Sequence, residues 1–563
     1  MTLYEKTKAF IKETTNEALA TAKQKGEIDF DTIPDYTIEE PREKDFGDFS
    51  VNAAMLMAKA ARRAPRDIAN IIVANMNTEG TYINEVNVAG AGFINFKLNP
   101  VYITEIIKTV EAEGDKFGQS DFGGGKKVNV EFVSANPTGP MHMGNARGGA
   151  LGDCLANIMA LAGFNVTKEF YVNDAGNQIE KLAVSLMARY KQLVLGEENY
   201  EFPEDGYHGD DVREHAKNFF DKYADSEVNT PDEELKAKLI DETLYKNIAG
   251  LKTGLEAYRI NYDVWFHEST LHNENEVLKT VEELTARGYT YEQDGAIWFK
   301  ATEFGLEKDD VLVRANGFVT YFAADIAYHK NKLITRGFDT AIDIWGADHH
   351  GHVARLKAAM QALGIDPERL EIILMQLVRL VRDGEAVRMS KRTGKAITLN
   401  DLIEETGVDA ARFYFNLRQA NSHFEFDLEL AVRQSSENPV FYVQYAHARI
   451  CGILAAMAEQ GYSVKSFEEI NPELLSDAKE IELMKMIAKF PEEIRTAASL
   501  REPSRITKYS MDLAAAFHAF YGACKVGCED APLRDARIAL VAASRQTIKN
   551  SLGVLGISAP EHM

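Results

Sequence analysis

A glycine-rich segment with one histidine, SANPTGPMHMGNARGGALGD, lies between a predicted strand and a predicted helix at residues 134–153. Open α/β sheets bind ligands at the carboxyl ends of their parallel strands, which is where this segment would lie. The helix start would offer N–H groups and a positive dipole end to a phosphate, and His142 could add a hydrogen-bond donor. Four glycines would let the backbone approach a ligand closely: Gly139, Gly144, Gly148 and Gly149. A capped turn without a ligand is the structural alternative, but the strand–loop–helix context favours a phosphate site.

A second candidate is the basic segment DGEAVRMSKRTGK at residues 383–395, which follows the last predicted strand of the α/β region. Residues 376–395 carry six Lys or Arg and two Asp or Glu. Such a loop could close over a polyphosphate and neutralise charge as it develops, using Arg388, Lys391, Arg392 and Lys395. A solvated basic turn is the usual explanation of a charge run. The two segments are expected to lie at the same edge of one sheet, and this favours a role of the basic segment in phosphate binding.

Acidic side chains occur in two unexpected places. Glu131 lies inside an apolar strand, VNVEFV, where an unpaired carboxylate would be costly. Tyr321 and Asp325 are spaced i,i+4 and therefore share one face of the helix predicted to begin at Tyr321. Two carboxylates and a phenol near a nucleotide site indicate a cationic ligand, such as a planar guanidinium held in a bidentate fork. An internal salt bridge for Glu131 and a solvent-facing Asp325 are equally good explanations on these grounds alone.

The segment WGADHHGH at residues 345–352 joins a predicted strand to a predicted helix. Asp348, His349, His350 and His352 could ligate a metal ion. No second carboxylate-rich cluster with fitting spacing accompanies them, which argues against a dinuclear site. Contact with adenine or ribose at the strand end is the favoured interpretation.

The length of the chain and the order of its predicted elements indicate a multidomain α/β protein. Residues 1–120 are predicted to form a small α+β domain, with one helical stretch through residues 49–65. Strands and helices then alternate over residues 121–435, which predicts a Rossmann-like parallel sheet with an irregular acidic insertion at about 190–300. Within that region, residues 317–321 (GFVTY) and 370–381 are each predicted to be a strand. Residues 436–563 are predicted to be an all-α bundle, whose aromatic residues should be mostly core with a minority facing RNA: Phe441, Tyr442, Tyr445, Phe517, Phe520 and Tyr521.

The composition of the 563-residue chain narrows the functional classes further. It has 63 basic and 86 acidic residues, a formal net charge of −23, which argues against nonspecific binding to nucleic acid or anionic membranes. No stretch approaches the length of a membrane span, and the N-terminus has no signal-peptide pattern. The four cysteines indicate neither a disulfide framework nor a zinc site. A cytoplasmic location is expected.

The motifs together resemble a known family. His142-Met143-Gly144-Asn145 and Arg388-Met389-Ser390-Lys391-Arg392 resemble the HIGH and KMSKS signatures of class I aminoacyl-tRNA synthetases. The surrounding sequence is similar to that of the arginyl-tRNA synthetase family. The stretches that carry the similarity include YVNDAGNQIEKL, TYFAADIAYHKNKL, WGADHHGH and ENPVFYVQYAHARI. The resemblance covers essentially the whole chain and is most specific over residues 128–450.

The resemblance implies ATP-dependent ligation of L-arginine to tRNA(Arg) through an arginyl-adenylate, with arginine activation dependent on bound tRNA. It implies catalytic roles for His142, Asn145 and Lys391. The implied ATP-binding set is Pro137, Gly139, His142, Gly144, Asn145, Gly346, Asp348, His349, His352, Gln376, Met389, Ser390 and Lys391. The implied arginine-binding set is Glu131, Ser134, Asn136, His142, Tyr321 and Asp325. Mg²⁺ would accompany the ATP, no structural metal is expected, and the protein is expected to be a monomer that contacts tRNA through its two terminal domains.

The signatures depart from the family pattern in three positions. Asn145 replaces the last His of HIGH, and an amide can donate a hydrogen bond but cannot carry charge. Arg388 and Arg392 replace the first Lys and the last Ser of KMSKS, while Lys391 is retained.

Three other functions are alternatives to this one: another HIGH-motif nucleotidyltransferase, a manganese-dependent phosphoesterase based on Asp348-His349-His350, and a non-catalytic RNA-binding relative.

Overall fold

The computed structural model describes residues 2–41, 43–139, 141–387 and 397–563. It contains an N-terminal α+β unit, a central region built on a five-stranded parallel sheet, and a C-terminal helical bundle. The predicted fold class is therefore confirmed. Within those described ranges, no helix has the length and apolar character needed to cross a membrane.

The N-terminal unit packs helices against a four-stranded antiparallel sheet in the order β1-β2-β4-β3. Its elements are α1 Leu3–Gln24, β1 Ile38–Glu39, β2 Phe49–Val51, α2 Ala53–Ala61, α3 Pro65–Ala74, β3 Ile83–Ala89, β4 Phe93–Leu98 and α4 Val101–Glu113. The predicted helical stretch through 49–65 is wrong at its start. Phe49 and Val51 are two residues apart and both buried, which is the period of a strand rather than of a helix.

The central region is organised around the parallel sheet β12-β11-β5-β6-β7. Its first half contains β5 Lys127–Glu131, α5 Gly144–Leu161, β6 Asn165–Val172, α6 Asn177–Leu195, α7 Asp210–Tyr223, α8 Asp232–Ala257, β7 Val264–His267, α9 Glu268–Asn273 and α10 Glu276–Ala286. A small antiparallel sheet follows, formed by β8 Thr290–Gln293, β9 Ala296–Phe299 and β10 Asp310–Val313.

The second half returns to the parallel sheet and adds a second three-stranded sheet. Its elements are α11 Tyr321–Lys330, a π-helical turn Asn331–Thr335, β11 Thr340–Gly346, α12 His350–Ala362, β12 Leu370–Met375, β13 Val378–Arg382, β14 Glu385–Ala386, α13 Leu399–Thr406, α14 Val408–Phe415, β15 Phe424–Asp427 and α15 Leu428–Val432. Strands β14, β13 and β15 form the added sheet.

Three predictions for this region are wrong. The segment 190–300 is largely helical rather than irregular, and its strand β7 pairs with β6 as an edge of the main sheet. Residues 317–321 do not form a strand, since Val319 makes only a single bridge to Val313 and Tyr321 already begins α11. Residues 370–381 form two strands in different sheets rather than one, because the chain breaks at Gln376, where the N–H is bonded to Ala420.

The C-terminal bundle contains five long helices: α16 Pro439–Glu459, α17 Ala478–Ala488, α18 Phe490–Leu500, α19 Ser504–Ala523 and α20 Ala531–Val554. Phe517 and Phe520 are completely buried in its core, while Tyr445 and Tyr521 are 40% and 36% exposed. Arg449 lies between these two tyrosines, with its guanidinium carbon 4.6 Å from the Tyr521 ring centroid. The predicted split between core and surface aromatics therefore holds for these four residues.

A buried arginine joins the bundle to the central region. Arg412 on α14 is fully buried and pairs with Asp153 on α5, which also accepts a hydrogen bond from Lys168 at 2.6 Å. The same guanidinium donates to the carbonyl of Leu555, just after α20, at 2.8 Å. Gly556 follows with φ 68°, and a Cβ there would lie 2.3 Å from Arg412 Nη2, so the position requires glycine.

Replacing Arg412 with Met should lower the free energy of unfolding by about 3–5 kcal/mol, because Asp153 would keep a buried charge with one cation fewer. The double variant Arg412→Met, Asp153→Leu should recover part of the loss. Arg259→Met is the control, because the Arg259 side chain is 44% exposed beside Asp409 and should contribute less than about 1 kcal/mol. Urea unfolding midpoints measure all three, and equal losses for Arg412→Met and Arg259→Met would contradict the assignment.

Candidate active site

The carboxyl edge of the parallel sheet gathers most of the residues singled out in the sequence. Strand β5 ends at Glu131, β11 at Gly346 and β12 at Met375, so the segments that follow each strand begin at one edge of the sheet. The glycine-rich segment follows β5, WGADHHGH continues from β11, and Gln376 follows β12. Parallel strands produce this convergence because all their carboxyl ends point the same way.

His142 lies in the tight turn that begins α5. Its Nδ1 accepts a hydrogen bond from the N–H of Gly144 at 3.0 Å, which places the ring proton of the neutral imidazole on Nε2. The side chain is exposed, so this Nε2–H is available to an oxygen of a ligand. The N–H groups of Asn145 and Ala146 are bonded to the carbonyls of His142 and Met143. The expectation of free N–H groups at the helix start is therefore wrong for these positions, and a phosphate would meet His142 and the dipole end of the helix.

The segment that follows the basic loop pairs with this same turn. Met143 donates its N–H to Ile397 at 3.0 Å, and Leu399 donates to Met141 at 2.9 Å. Thr398 forms a bridge with His142 and caps α13. Five residues of the basic signature lie outside the described residues, and their expected roles stay predictions: Arg388, Met389, Ser390, Lys391 and Arg392. The described flank brings the chain from this segment directly onto the His142 turn.

The glycines of α5 have a packing role that sequence reasoning missed. A Cβ on Gly152 would lie 2.1 Å from the Phe132 ring, and one on Gly149 would lie 2.9 Å from Ile260 Cδ1. Gly148 faces the side chain of Met375. Gly149 and Gly152 therefore allow the helix to pack closely on its neighbours, whereas a Cβ on Gly148 would make only an ordinary contact at 3.6 Å.

Glu131 is buried at the end of β5 and has the internal salt bridge considered as its structural alternative. Its Oε2 accepts a hydrogen bond from the fully buried Lys332, and its Oε1 accepts one from Ser134 Oγ at 2.8 Å. Val133 and Ser134 have φ values of 70° and 43°, in the left-handed region, where a β-branched residue such as Val133 is strained. This strained turn aims Ser134 at Glu131, and such strain is concentrated at functional sites.

Tyr321 and Asp325 share one face of α11, as predicted, and Tyr321 is the first residue of that helix. Asp325 Oδ2 accepts a hydrogen bond from His352 Nε2 at 2.5 Å, and His352 Nδ1 accepts one from Arg355 Nε. The Asp325 side chain is 32% exposed, so it is neither fully solvated nor closed off. His352, which the family resemblance implied in ATP binding, is thus directly linked to a residue of the implied arginine-binding set.

A cavity of about 360 Å³ lies beside Tyr321 and reveals an acidic residue that sequence reasoning missed. Its lining includes Gly176, Glu268, His272, Arg314, Phe318 and Tyr321. Glu268 is 3% exposed and contacts His272 Nε2 at 3.2 Å, while the Asn173 amide, correctly oriented, donates to its other oxygen at 3.2 Å. Burial of a carboxylate with no lysine or arginine among these contacts leaves negative charge available to a cationic ligand.

The pKa of Tyr171 indicates how closely the acidic groups converge. Burial raises the pKa of Tyr171 well above its ordinary value, and the negative charges of Glu268 and Asp325 raise it further. Tyr171 lies on β6, and its N–H donates to Ser134 Oγ at 3.1 Å. The negative charges of Glu268, Asp325 and Glu131 thus all raise the pKa of this one phenol. The only sequence signal for Glu268 was its position directly after a strand.

The remaining implied residues lie around the same edge. Asp348 and His349 are exposed after β11, with side chains 80% and 59% accessible. Asn136 is exposed and donates to Gln178 at 2.8 Å, and the carbonyl of Pro137 accepts from Asn247 at 2.8 Å. The carbonyl of Gln376 accepts from Arg147 on α5 at 2.7 Å.

Metal ligands are a separate question at this edge. Over residues 2–41, 43–139, 141–387 and 397–563, no group of three or more His, Cys, Asp or Glu side chains is arranged to hold a metal ion. Asp348 and His349 are separated by 3.7 Å, but they point into solvent rather than toward a common centre with further ligands.

The buried side of α11 carries a histidine in an unusual state. His329 Nδ1 lies 2.8 Å from the carbonyl oxygen of Asp325, and Nε2 lies 2.6 Å from Asp343 Oδ2. Because both ring nitrogens face acceptors, both must donate, which makes the ring an imidazolium. Burial alone would lower the pKa of His329, but the charge and hydrogen bond of Asp343 outweigh it and raise the pKa. Burial would raise the pKa of Asp343, but Lys332 and His329 lower it to about 2.

Comparison with known proteins places this geometry in a family. The model of the tRNA synthetases class I (R) catalytic domain matches residues 107–433, which is more than half of the chain. The arginyl tRNA synthetase N terminal domain matches residues 8–98, and the DALR anticodon binding domain matches residues 443–563. The chain belongs to the arginyl-tRNA synthetase family.

Individual arginyl-tRNA synthetases support the same assignment. The arginine–tRNA ligase of Caldanaerobacter subterraneus subsp. tengcongensis is 55% identical over 561 residues, covering 100% of both chains. That of Ruminiclostridium cellulolyticum is 55% identical over 538 residues, covering 96% of this chain and 95% of its own. The Thermus thermophilus arginyl-tRNA synthetase structure has a TM-score of 0.73 at 22% identity, covering 99% of this chain and 100% of its own, and shows that the fold is shared. The chain is therefore an enzyme of the class I synthetases, and the nucleotidyltransferase and phosphoesterase alternatives find no support.

His329 should stabilise the folded synthetase most strongly at low pH. A raised pKa means that its stabilising contribution is fully present below the unfolded value of about 6.5 and is lost as pH rises through the folded value. The variant His329→Gln should therefore lose more free energy of unfolding at pH 6 than at pH 9, measured by urea denaturation against wild type. The exposed His423, changed to Gln, is the control. A loss for His329→Gln that grows with pH would contradict the imidazolium assignment.

Proposed function

We propose that this chain joins L-arginine to tRNA(Arg) in two steps at the carboxyl edge of its parallel sheet. The arginine carboxylate attacks the α-phosphorus of ATP, forming arginyl-adenylate and releasing pyrophosphate. The terminal ribose hydroxyl of the tRNA then attacks the arginyl carbonyl, and AMP leaves. The observation that carries the proposal is a pair of carboxylates near Tyr321: Asp325 lies one helical turn further along α11, and Glu268 lines the same cavity as Tyr321.

The guanidinium of arginine is the ligand that best suits these carboxylates. Asp325 contacts His352, and Glu268 contacts His272 and an asparagine amide, so neither contact supplies a lysine or arginine countercharge. Tyr321, 45% exposed at the cavity wall, adds a phenol that can accept or donate a hydrogen bond. A planar guanidinium presents N–H donors in several directions and can bind both acids, whereas the ammonium of lysine is a point charge.

The remaining arginine-binding residues are proposed to hold the amino-acid end. Ser134 and Asn136 follow β5 in the strained turn, between Glu131 and the His142 segment. Glu131 keeps acceptor capacity toward a ligand, because each carboxylate oxygen can accept more than one hydrogen bond. This arrangement would direct the arginine carboxylate toward the nucleotide.

ATP is proposed to bind across the His142 turn and the loops after β11 and β12. His142 Nε2–H and Asn145 would stabilise the charge that develops on the phosphates, with Lys391 acting on the β- and γ-phosphates from the neighbouring loop. Pro137, Gly139, Gly144, Gly346, Asp348, His349, His352, Gln376, Met389 and Ser390 complete the proposed ATP set. Mg²⁺ would enter with the ATP and be held mainly by its phosphates, which is its usual mode of binding.

The terminal regions are proposed to bind the tRNA. We divide the chain into an N-terminal domain 1–120, a catalytic domain 121–435 and an anticodon-binding domain 436–563. The exposed Tyr445 and Tyr521 flank Arg449 and together offer flat surfaces on which unpaired bases can stack. Monomeric assembly and a cytoplasmic location complete the proposal.

Aminoacylation of total tRNA tests the function directly. Each of the twenty amino acids is supplied in turn with ATP and Mg²⁺, and the expected result is esterification of arginine alone. Charging of another amino acid would overturn the guanidinium pocket. Binding of tRNA without any charging would indicate a non-catalytic relative.

Asp325→Asn and Glu268→Gln should each weaken arginine binding while leaving ATP binding largely unchanged. Loss of one charge-assisted hydrogen bond costs about 1.5–3 kcal/mol, which corresponds to a rise in arginine KM of about ten- to a hundredfold. Steady-state aminoacylation with saturating tRNA measures both KM values. Glu283→Gln is the control, because Glu283 pairs with Lys330 on the outer side of α11. Unchanged arginine kinetics in both variants would exclude this pocket.

A further inference from the structure

Three carboxylates lie side by side in the buried centre of the parallel sheet. Asp343 on β11 is the register partner of Glu131 on β5, and Glu131 is the register partner of Glu169 on β6. Asp343 and Glu169 are fully buried, and Glu131 is 7% exposed. Neighbouring strands are about 4.8 Å apart, so these like charges would repel strongly unless cations are placed among them.

The cations come from one face of α11 and the π-helical turn that extends it. Lys332 donates to Glu131 and, at 2.8 Å, to Asp343 Oδ1. Arg336 Nη2 donates to Glu169 Oε1 at 2.8 Å, and His329 pairs with Asp343. Three positive groups thus face three carboxylates. A π-helical turn is uncommon and is found frequently at functional sites.

Lys332 occupies the centre of this arrangement. It is fully buried, its Nζ bridges two of the three acids, and that nitrogen lies 4.3 Å from the ring centroid of Tyr328. A buried ammonium in such a position cannot reach a substrate in the cavity. Its effect on a ligand must therefore pass through the groups that it holds.

We propose that Lys332 is a positioning residue for arginine, which keeps the Glu131 carboxylate ionised and oriented toward the amino-acid site. The inference rests on the proposed function, because it takes Glu131 to be part of the arginine-binding set. Lys332 occupies Oε2 of Glu131, and Ser134 occupies one acceptor position of Oε1. The carboxylate is thereby held in one rotamer, with its remaining lone pairs available to the substrate.

Lys332 also anchors the helix that carries the guanidinium ligands. Tyr321, Asp325, His329 and Lys332 follow one another at helical spacing, so a contact at Lys332 fixes the rotation of the whole face. His329 links the carbonyl of Asp325 to Asp343, which Lys332 also contacts. The same ammonium therefore couples both ends of the proposed arginine site.

The ionisation of Glu131 depends on its whole surroundings. Burial raises the pKa of Glu131, Asp343 raises it further, and Lys332 opposes both effects. Removing Lys332 should therefore leave Glu131 partly protonated near neutral pH, with ionisation recovering as pH rises. The charged and titratable groups that face Glu131 are Lys332 and Arg336 from the turn after α11, Tyr328 and His329 from α11, Asp343 from β11, Tyr171 and Glu169 from β6, and Tyr262 from the segment before β7.

The test compares Lys332→Met with wild type in aminoacylation kinetics at pH 6.5, 7.5 and 8.5. Arginine KM should rise by about tenfold or more at pH 6.5, because a charge-assisted acceptor is lost, while ATP KM changes by less than about twofold. The ratio of variant to wild-type arginine KM should fall as pH increases. Lys332→Arg, which keeps the charge, should show a smaller and pH-independent rise. Lys330→Met is the matched control on the same helix, where Lys330 pairs with Glu283 at 2.7 Å.

A double variant keeps the test decisive if Lys332→Met does not fold. Lys332→Met combined with Glu131→Gln removes both partners of the buried pair, which is better tolerated than removing one. Its arginine KM should equal that of Glu131→Gln alone, because Lys332 would then have no arginine-binding carboxylate to position, while His329 still ties α11 to Asp343. A further rise in the double variant, or equal rises in arginine and ATP KM for Lys332→Met, would overturn the proposal. If the wild-type protein charges arginine, such a result rejects only the role of Lys332. If the wild-type protein does not charge arginine, the proposed function itself is rejected.

Discussion

A parallel sheet with acidic groups at its centre must be supplied with cations, and much of this structure follows from that constraint. Asp343, Glu131 and Glu169 are adjacent across three strands and have almost no access to water. Charges so placed are tolerated only when paired with good geometry. One helical face, running from His329 to Arg336, supplies the pairing groups and must therefore lie over the sheet in one orientation. That orientation also places Tyr321 at the wall of the cavity, with Asp325 one helical turn further along α11.

The division of charge around the site has a chemical consequence. The acids of the sheet are neutralised by groups of the protein itself, while Asp325 and Glu268 contact histidines and an amide. The first group behaves as a rigid support, and the second retains charge for a cationic substrate. A protein with a formal net charge of −23 thus keeps negative charge at two defined positions, Asp325 and Glu268, instead of relying on its overall field.

Two buried arginines, Arg147 and Arg412, connect separate regions of the protein through hydrogen bonds and an ion pair. Arg147 donates to the carbonyls of Gln376, Gln419 and Ser422, which ties α5 to the loop after β12. Arg412 ties α5 and α14 to the end of α20. Because α5 begins at the His142 turn, both contacts bear on the element that presents the histidine proposed to bind ATP. The bundle is therefore continuous, through side-chain contacts, with the helix of the proposed ATP site.

Local sequence patterns were sufficient for several features. The i,i+4 spacing of Tyr321 and Asp325 predicts their shared helix face, and strand–helix alternation predicts the parallel sheet whose edge gathers the loops. The resemblance of residues 142–145 and 388–392 to the HIGH and KMSKS signatures indicates the family and, through it, a reaction on ATP. These properties depend on neighbours in the chain, so they can be derived without coordinates.

Only the tertiary structure showed which acidic side chains are neutralised by cations of the protein and which are placed to bind a substrate. Glu131 and Lys332 are 201 residues apart, and no local pattern pairs them. Glu268 became a candidate ligand only when its burial at the cavity was known, and β7 joined the main sheet although its flanking sequence is helical and acidic. The glycines of α5 likewise proved to serve packing against Phe132 and Ile260. Burial and long-range pairing depend on contacts between distant segments, and these form only when the whole chain is folded.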